Sequence, residues 1–182
     1  MYVRPFALIV LLLAAARAEA QSPPATTDSA KYAAEGWIYG ASLGIPGYRS
    51  TPAAELFTFG FNFTQLRPGH LGADFSFGTI PSVAVAGIIP IGARAGVAFP
   101  LAAGPYLLLL PSAGVSAIVV TGPGGGTGVG GVNAGIATIA HAGSLGLRTG
   151  ITWHGFANTS GAIWLVEIGF VGVPSDSPNE RR

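Results

Sequence analysis

Hydrophobic and polar positions alternate along most of this chain. In Phe57-Thr58-Phe59-Gly60-Phe61-Asn62-Phe63-Thr64 the phenylalanines share one face, and threonine, glycine and asparagine share the other. The same split recurs in Leu71-Gly72-Ala73-Asp74-Phe75-Ser76-Phe77-Gly78 and Ile91-Gly92-Ala93-Arg94-Ala95-Gly96-Val97-Ala98-Phe99. It appears again in Leu145-Gly146-Leu147-Arg148-Thr149-Gly150-Ile151-Thr152-Trp153-His154. Successive side chains of a strand point to opposite faces, so a period of two predicts β-structure. No 3.6-residue stripe competes with it, and glycine and β-branched residues disfavour helix throughout. The pattern predicts eight strands, at 36–46, 55–66, 70–80, 88–100, 105–120, 129–140, 144–156 and 162–173. Their lengths sit near the roughly 9–11 residues that a tilted strand needs to cross a bilayer.

The two faces differ in kind. Asp74, Arg94, Arg148 and Glu167 all fall on the polar face, with His154, Asn62, Asn133, Ser76, Ser112 and Thr152. Most strand glycines share that phase. The other face carries the bulk: Leu43, Phe59, Phe61, Phe75, Val97, Val115, Ile136, Ile168 and their neighbours. A soluble ligand carrier turns such a face inward and needs a charged exterior. Here charged residues are 9% of the chain, against roughly 25% in ordinary soluble domains, and mean hydropathy is +0.53. The second face is too poor in charge to keep a carrier in solution. The predicted fold class is therefore an all-β, eight-stranded antiparallel transmembrane barrel, an up-and-down meander. Its large apolar face meets lipid and its small, polar face lines a narrow lumen.

The ends of the chain differ from this body. Arg4, the apolar run Phe6 to Ala16 and Ala18-Glu19-Ala20 follow the order of a secretory signal, so residues 1–20 are expected to be removed. Residues 21–35 read as a polar periplasmic linker, 36–173 as the barrel and 174–182 as a polar C-terminal tail. The 36–173 body holds seven charged residues: Arg49, Glu55, Arg67, Asp74, Arg94, Arg148 and Glu167. With no basic stripe, nucleic acid is not an expected partner. With no cysteine, disulfides and zinc-cysteine sites are excluded.

If residue 36 starts at the periplasm, both termini are periplasmic. The periplasmic turns are then 67–69, 100–104 and 141–143, and the outer connections are 47–54, 81–87, 121–128 and 157–161. Aromatic residues sort into two belts at headgroup level. Trp37, Tyr39, Phe63, Phe99, Tyr106 and Phe170 mark the periplasmic rim. Phe57, Phe77, Trp153 and Trp164 mark the outer rim, with Tyr48. The run Gly122 to Gly131 contains Gly126-x-Gly128-x-x-Gly131, but a strand follows where a dinucleotide fingerprint needs a helix. It is read as a flexible outer loop, and no cofactor or metal site is expected.

With this pattern in hand, residues 36–173 resemble the small eight-stranded outer-membrane barrels of Gram-negative bacteria, the outer-membrane-protein-A and opacity-type families. The stretch Trp164 to Val173 is similar to the C-terminal assembly signal of such barrels. That resemblance implies recognition by the barrel-assembly machinery, contact with membrane lipid and a monomeric state. Some barrels of this size are lipid A-modifying hydrolases. Their deacylase type uses a histidine, a serine two residues later and a glutamate on the next strand. His154 and Glu167 match that pattern, but Phe156 stands where the serine belongs. Without the nucleophile the triad fails, and no catalytic residue is assigned. His154, Glu167, Arg148, Arg94 and Asp74 are instead expected to form a polar network that plugs the lumen, because buried charges must be paired. The expected role is structural, envelope-supporting or surface-interacting, with a small porin-like channel and a lipid A hydrolase as alternatives.

Overall fold

A computed structural model describes residues 35–174, apart from 50, 68, 85–86, 104–105 and 158–160. The expected signal peptide, most of the linker and nearly all of the C-terminal tail lie outside the described residues. Eight long strands follow in chain order: β1 (Gly36–Tyr48), β2 (Thr58–Leu66), β3 (Gly72–Thr79), β4 (Ile89–Ala98), β5 (Leu107–Gly122), β6 (Gly125–Ala142), β7 (Leu145–Phe156) and β8 (Ile163–Gly172). Each pairs antiparallel with its sequence neighbours. β8 pairs back onto β1, from Tyr39 opposite Gly172 to Tyr48 opposite Ile163, and the sheet closes into a barrel. Closure leaves no exposed sheet edge around the wall, the condition for strands to cross lipid. Two-residue strands, Thr51–Pro52 and Leu101–Ala102, and the single turn α1 (Pro81–Ala84) decorate the connections.

Alternation sets the faces as the sequence implies. Tyr39, Leu43, Phe75, Val115, Ile168 and Phe170 are exposed on the outer wall, while Asp74, Arg94, Arg148 and Glu167 are buried inside. On the inner wall, some glycines are required by close backbone approach. Gly96 of β4 pairs with Gly114 of β5. A Cβ on Gly96 would collide with the Ala113 carbonyl, and one on Gly114 with the Ala95 carbonyl.

Two features differ from what the sequence implies. First, the glycine-rich run is not a loop. β5 and β6 continue as a hairpin to Gly122 opposite Gly125, turning at Pro123-Gly124. Ile118, Val119 and Val120 supply strand propensity on one side, and Val129, Gly128 and Thr127 pair with them on the other. Gly125 takes φ +117°, a conformation that residues with side chains rarely adopt. β4 keeps close to its expected range, beginning at Ile89 despite Pro90, whose carbonyl accepts a hydrogen bond from Thr79 Oγ1 at 2.7 Å. Second, the interior is not uniformly polar. Ile38, Leu66, Leu108, Leu110, Ala137, Ile139, Val171 and Val173 form an apolar cluster inside the barrel, at the end where β1 begins and β8 ends. Each large side chain buried there contributes roughly 1.5–3 kcal/mol.

Candidate functional site in the barrel interior

Above the apolar cluster, every strand sends at least one polar side chain inward. Arg94 on β4 is the hub. Its Nε donates to Ser76 Oγ on β3 at 2.6 Å. Its Nη1 reaches Thr152 Oγ1 on β7 at 3.0 Å, so this one side chain bridges the lumen. Its Nη2 donates to Asn62 Oδ1 on β2 at 3.4 Å and lies 3.6 Å from Asp74 Oδ2. Asp74 also accepts from Thr64 Oγ1 at 2.6 Å. The path continues around the wall: Asn62 Nδ2 donates to Ser42 Oγ at 2.9 Å, and Ser42 donates to Glu167 Oε1 at 3.0 Å. Hydrogen bonds that involve a charged group contribute about 1.5–3 kcal/mol each, because the full charge strengthens the electrostatic attraction.

A second group lies on the β5–β7 side. Asn133 Nδ2 donates to Ser116 Oγ at 2.8 Å, and Ser116 Oγ lies 2.9 Å from His154 Nδ1. The His154 ring runs parallel to that of Phe156, with centroids 5.9 Å apart and an interplanar angle of 3°. This is a serine–histidine contact, but among the described residues no carboxylate hydrogen-bonds the imidazole. Glu167 is turned to Ser42 instead. No group of three or more histidine, aspartate or glutamate side chains that could hold a metal comes together among the described residues.

The four inward charges are not paired two against two. Asp74 and Arg94 form an ion pair, whereas Arg148 has no carboxylate within 4.0 Å among the described residues. Arg148 is 4% exposed, and its Nε and Nη1 lack a hydrogen-bond partner. Two polar residues of the network, Ser42 and Ser116, escaped the sequence reading. Both sit in the inward phase, Ser42 between Gly40 and Gly44 and Ser116 two residues after Gly114, and that phase was the available signal.

Between this polar layer and the loop end of the barrel lies a chamber of about 310 Å³. Arg94, Thr152, His154 and Glu167 contribute to it from the polar layer, and Leu56, Ile80, Ile118, Phe156 and Leu165 are among its apolar lining. Outside the barrel, Trp37, Tyr39, Phe63, Phe99, Tyr106 and Phe170 lie toward the terminal end, and Phe57, Phe77, Trp153 and Trp164 toward the loop end. On β2 and β3 the two sets meet. Phe63 stacks on Phe77 at 6.0 Å, and Phe61 packs against Phe77 at 5.3 Å.

No protein-family model matches the sequence, and no curated protein matches it. Solved structures do match. The N-terminal β-barrel domain of Pseudomonas aeruginosa OprF superposes with a TM-score of 0.59 at 12% identity, covering 77% of this chain and 98% of that one. Neisserial surface protein A superposes with a TM-score of 0.50 at 9% identity, covering 75% of this chain and 95% of that one. The fold is thus that of the eight-stranded outer-membrane barrels.

Proposed function

We propose that this protein is an integral outer-membrane barrel with a structural, envelope-supporting or surface-interacting role and a lumen closed to ions. Residues 1–20 direct export, the barrel-assembly machinery inserts the chain as a monomer, and both termini face the periplasm. Two properties support the membrane placement: the closed wall and an outer face of exposed large apolar residues, among them Phe170 at 65% and Val115 at 60%. A water-exposed surface rarely carries contiguous apolar patches beyond a few hundred Å².

The closed lumen rests on one observation. The apolar cluster of Ile38, Leu66, Leu108, Leu110, Ala137, Ile139, Val171 and Val173 fills the terminal end beneath the polar network. An ion entering there loses most of its hydration among these side chains before it reaches Thr64 and Arg148, which pair in register with Ile38 and Ile139. The network is therefore a brace above an apolar stopper. Single-channel recording in planar bilayers tests this. The wild type is expected to give no resolved conductance, and so is Arg94→Ala, because the stopper is untouched. A conductance in the wild type that changes in Arg94→Ala supports the channel reading instead.

The Ser116–His154 contact at 2.9 Å favours one other reading, an outer-membrane hydrolase. Mass analysis of lipid A from cells with and without the protein separates the two. Unchanged acylation is expected, and a deacylated species that is lost in Ser116→Ala supports the hydrolase.

A further inference from the structure

The chamber in the loop half of the barrel has two contrasting sides. Gly60, Gly78 and Gly92 stand side by side across β2, β3 and β4, Gly60 opposite Gly78 and Gly78 opposite Gly92. This row leaves the wall bare. A Cβ on Gly92 would meet nothing nearer than the Gly78 carbonyl at 4.0 Å. In an eight-stranded barrel β3 faces β7, and β7 contributes the parallel rings of His154 and Phe156. The glycine row is thus a bare strip on one side, with Thr58, Ser76 and Ile80 beside it, and the other side offers aromatic rings held in a common orientation.

The polar layer below limits what can enter. Arg94 reaches across the lumen to Thr152, so nothing long can run down the barrel axis past it. The chamber's 310 Å³ lies at the small end of the roughly 300–1,000 Å³ typical of ligand pockets. His154 uses Nδ1 on Ser116, and its second ring nitrogen has no partner among the described residues. The lining is otherwise mostly apolar, with a few polar groups converging from one end, the usual make-up of a small-molecule site.

We propose that this chamber binds a small, flat, mostly apolar ring compound that carries one polar substituent. The ring lies parallel to His154 and Phe156 against the glycine row, where offset stacking adds to the burial of its faces. The polar substituent points to the Arg94–Thr152–His154 layer, which holds a fixed hydrogen-bonding group at that end. A flexible alkyl chain of equal size loses rotamer freedom on entry and gains no stacking, so it binds more weakly. The proposal adds a ligand to the barrel and does not depend on whether the lumen conducts.

Indole is a suitable probe, being flat, bicyclic and equipped with one N–H donor. The full chain, refolded in detergent micelles, is dialysed to equilibrium against indole and separately against 1-heptanol, with empty micelles as the blank. A saturable, one-to-one uptake of indole above the blank is expected, with heptanol weaker by about tenfold. Gly92→Phe places a ring in the chamber from a position with open space, and is expected to weaken indole binding by about tenfold or more. Ile118→Trp fills the chamber from β5 and serves where Gly92→Phe does not fold, folding being read from heat-modifiable migration on a gel. Uptake no greater than the blank overturns the proposal. So does undiminished binding in a folded, filled variant, or heptanol bound as tightly as indole.

Discussion

Arg94 and Arg148 are both buried guanidinium groups inside the same barrel, and their surroundings differ sharply. Arg94 has four partners on three other strands, Ser76, Thr152, Asn62 and Asp74. Removing it leaves Asp74 buried with only the Thr64 hydroxyl, which is the costly way to break a buried pair. Arg94→Met is therefore expected to lower unfolding stability by about 3–5 kcal/mol, read from urea titration of tryptophan fluorescence in micelles. Arg148 has two guanidinium nitrogens, Nε and Nη1, without a hydrogen-bond partner. Its burial already carries a desolvation cost that no hydrogen bond at Nε or Nη1 offsets. Arg148→Met is expected to cost less than about 1.5 kcal/mol in the same titration, a change typical of well-tolerated core swaps. Equal losses in the two variants would contradict this division of labour. The sequence makes all four inward charges legible, because strand phase alone places them. It does not make their partners legible. Contact depends on the stagger between strands across the lumen, and a one-dimensional period carries no information about that.

Individual strands were legible in proportion to how different their faces are. β2 and β3 alternate phenylalanine with small or polar residues, so their position and orientation follow from the sequence. β5 begins Leu107-Leu108-Leu109-Leu110, apolar on both faces. Alternation cannot reveal there that Leu108 and Leu110 point inward, and this hid the apolar cluster. β6 starts as Gly125-Gly126-Thr127-Gly128, which by composition reads as a loop. It becomes a strand because β5 continues opposite it and supplies β-branched partners. Glycines of the same inner wall then differ in tolerance, by what their Cβ would meet. Gly114→Ala forces a Cβ into the Ala95 carbonyl, and is expected to destabilise by about 1–3 kcal/mol, as overpacking does. Gly92→Ala is expected to be neutral or slightly stabilising, since the site is open and alanine loses less backbone entropy on folding. Thermal or urea unfolding of the two variants side by side checks the ranking, and the reverse order would contradict the inner-wall geometry.

For the molecule as a whole, the scarcity of charge and the abundance of glycine have one explanation. The outer wall has no charged residue among the strands, and the strand charges are sequestered inside, where Asp74, Arg94 and Glu167 have hydrogen-bonding partners. Such a wall is stable only against hydrocarbon. A charge placed on it should then cost energy according to depth. Ile168→Arg, at mid-wall on β8, is expected to destabilise the barrel in lipid by about 2–4 kcal/mol. Tyr106→Arg, at the terminal rim, is expected to cost no more than about 1 kcal/mol, because its head can reach the interface. The most direct test of the account asks where the apolar face points. Cell envelopes are fractionated, washed with urea and solubilised with detergent, and the protein is run on a gel with and without boiling. The protein is expected to resist the urea wash, to need detergent for extraction and to migrate faster unboiled than boiled. Release into the wash without detergent, with identical migration of both samples, would contradict it.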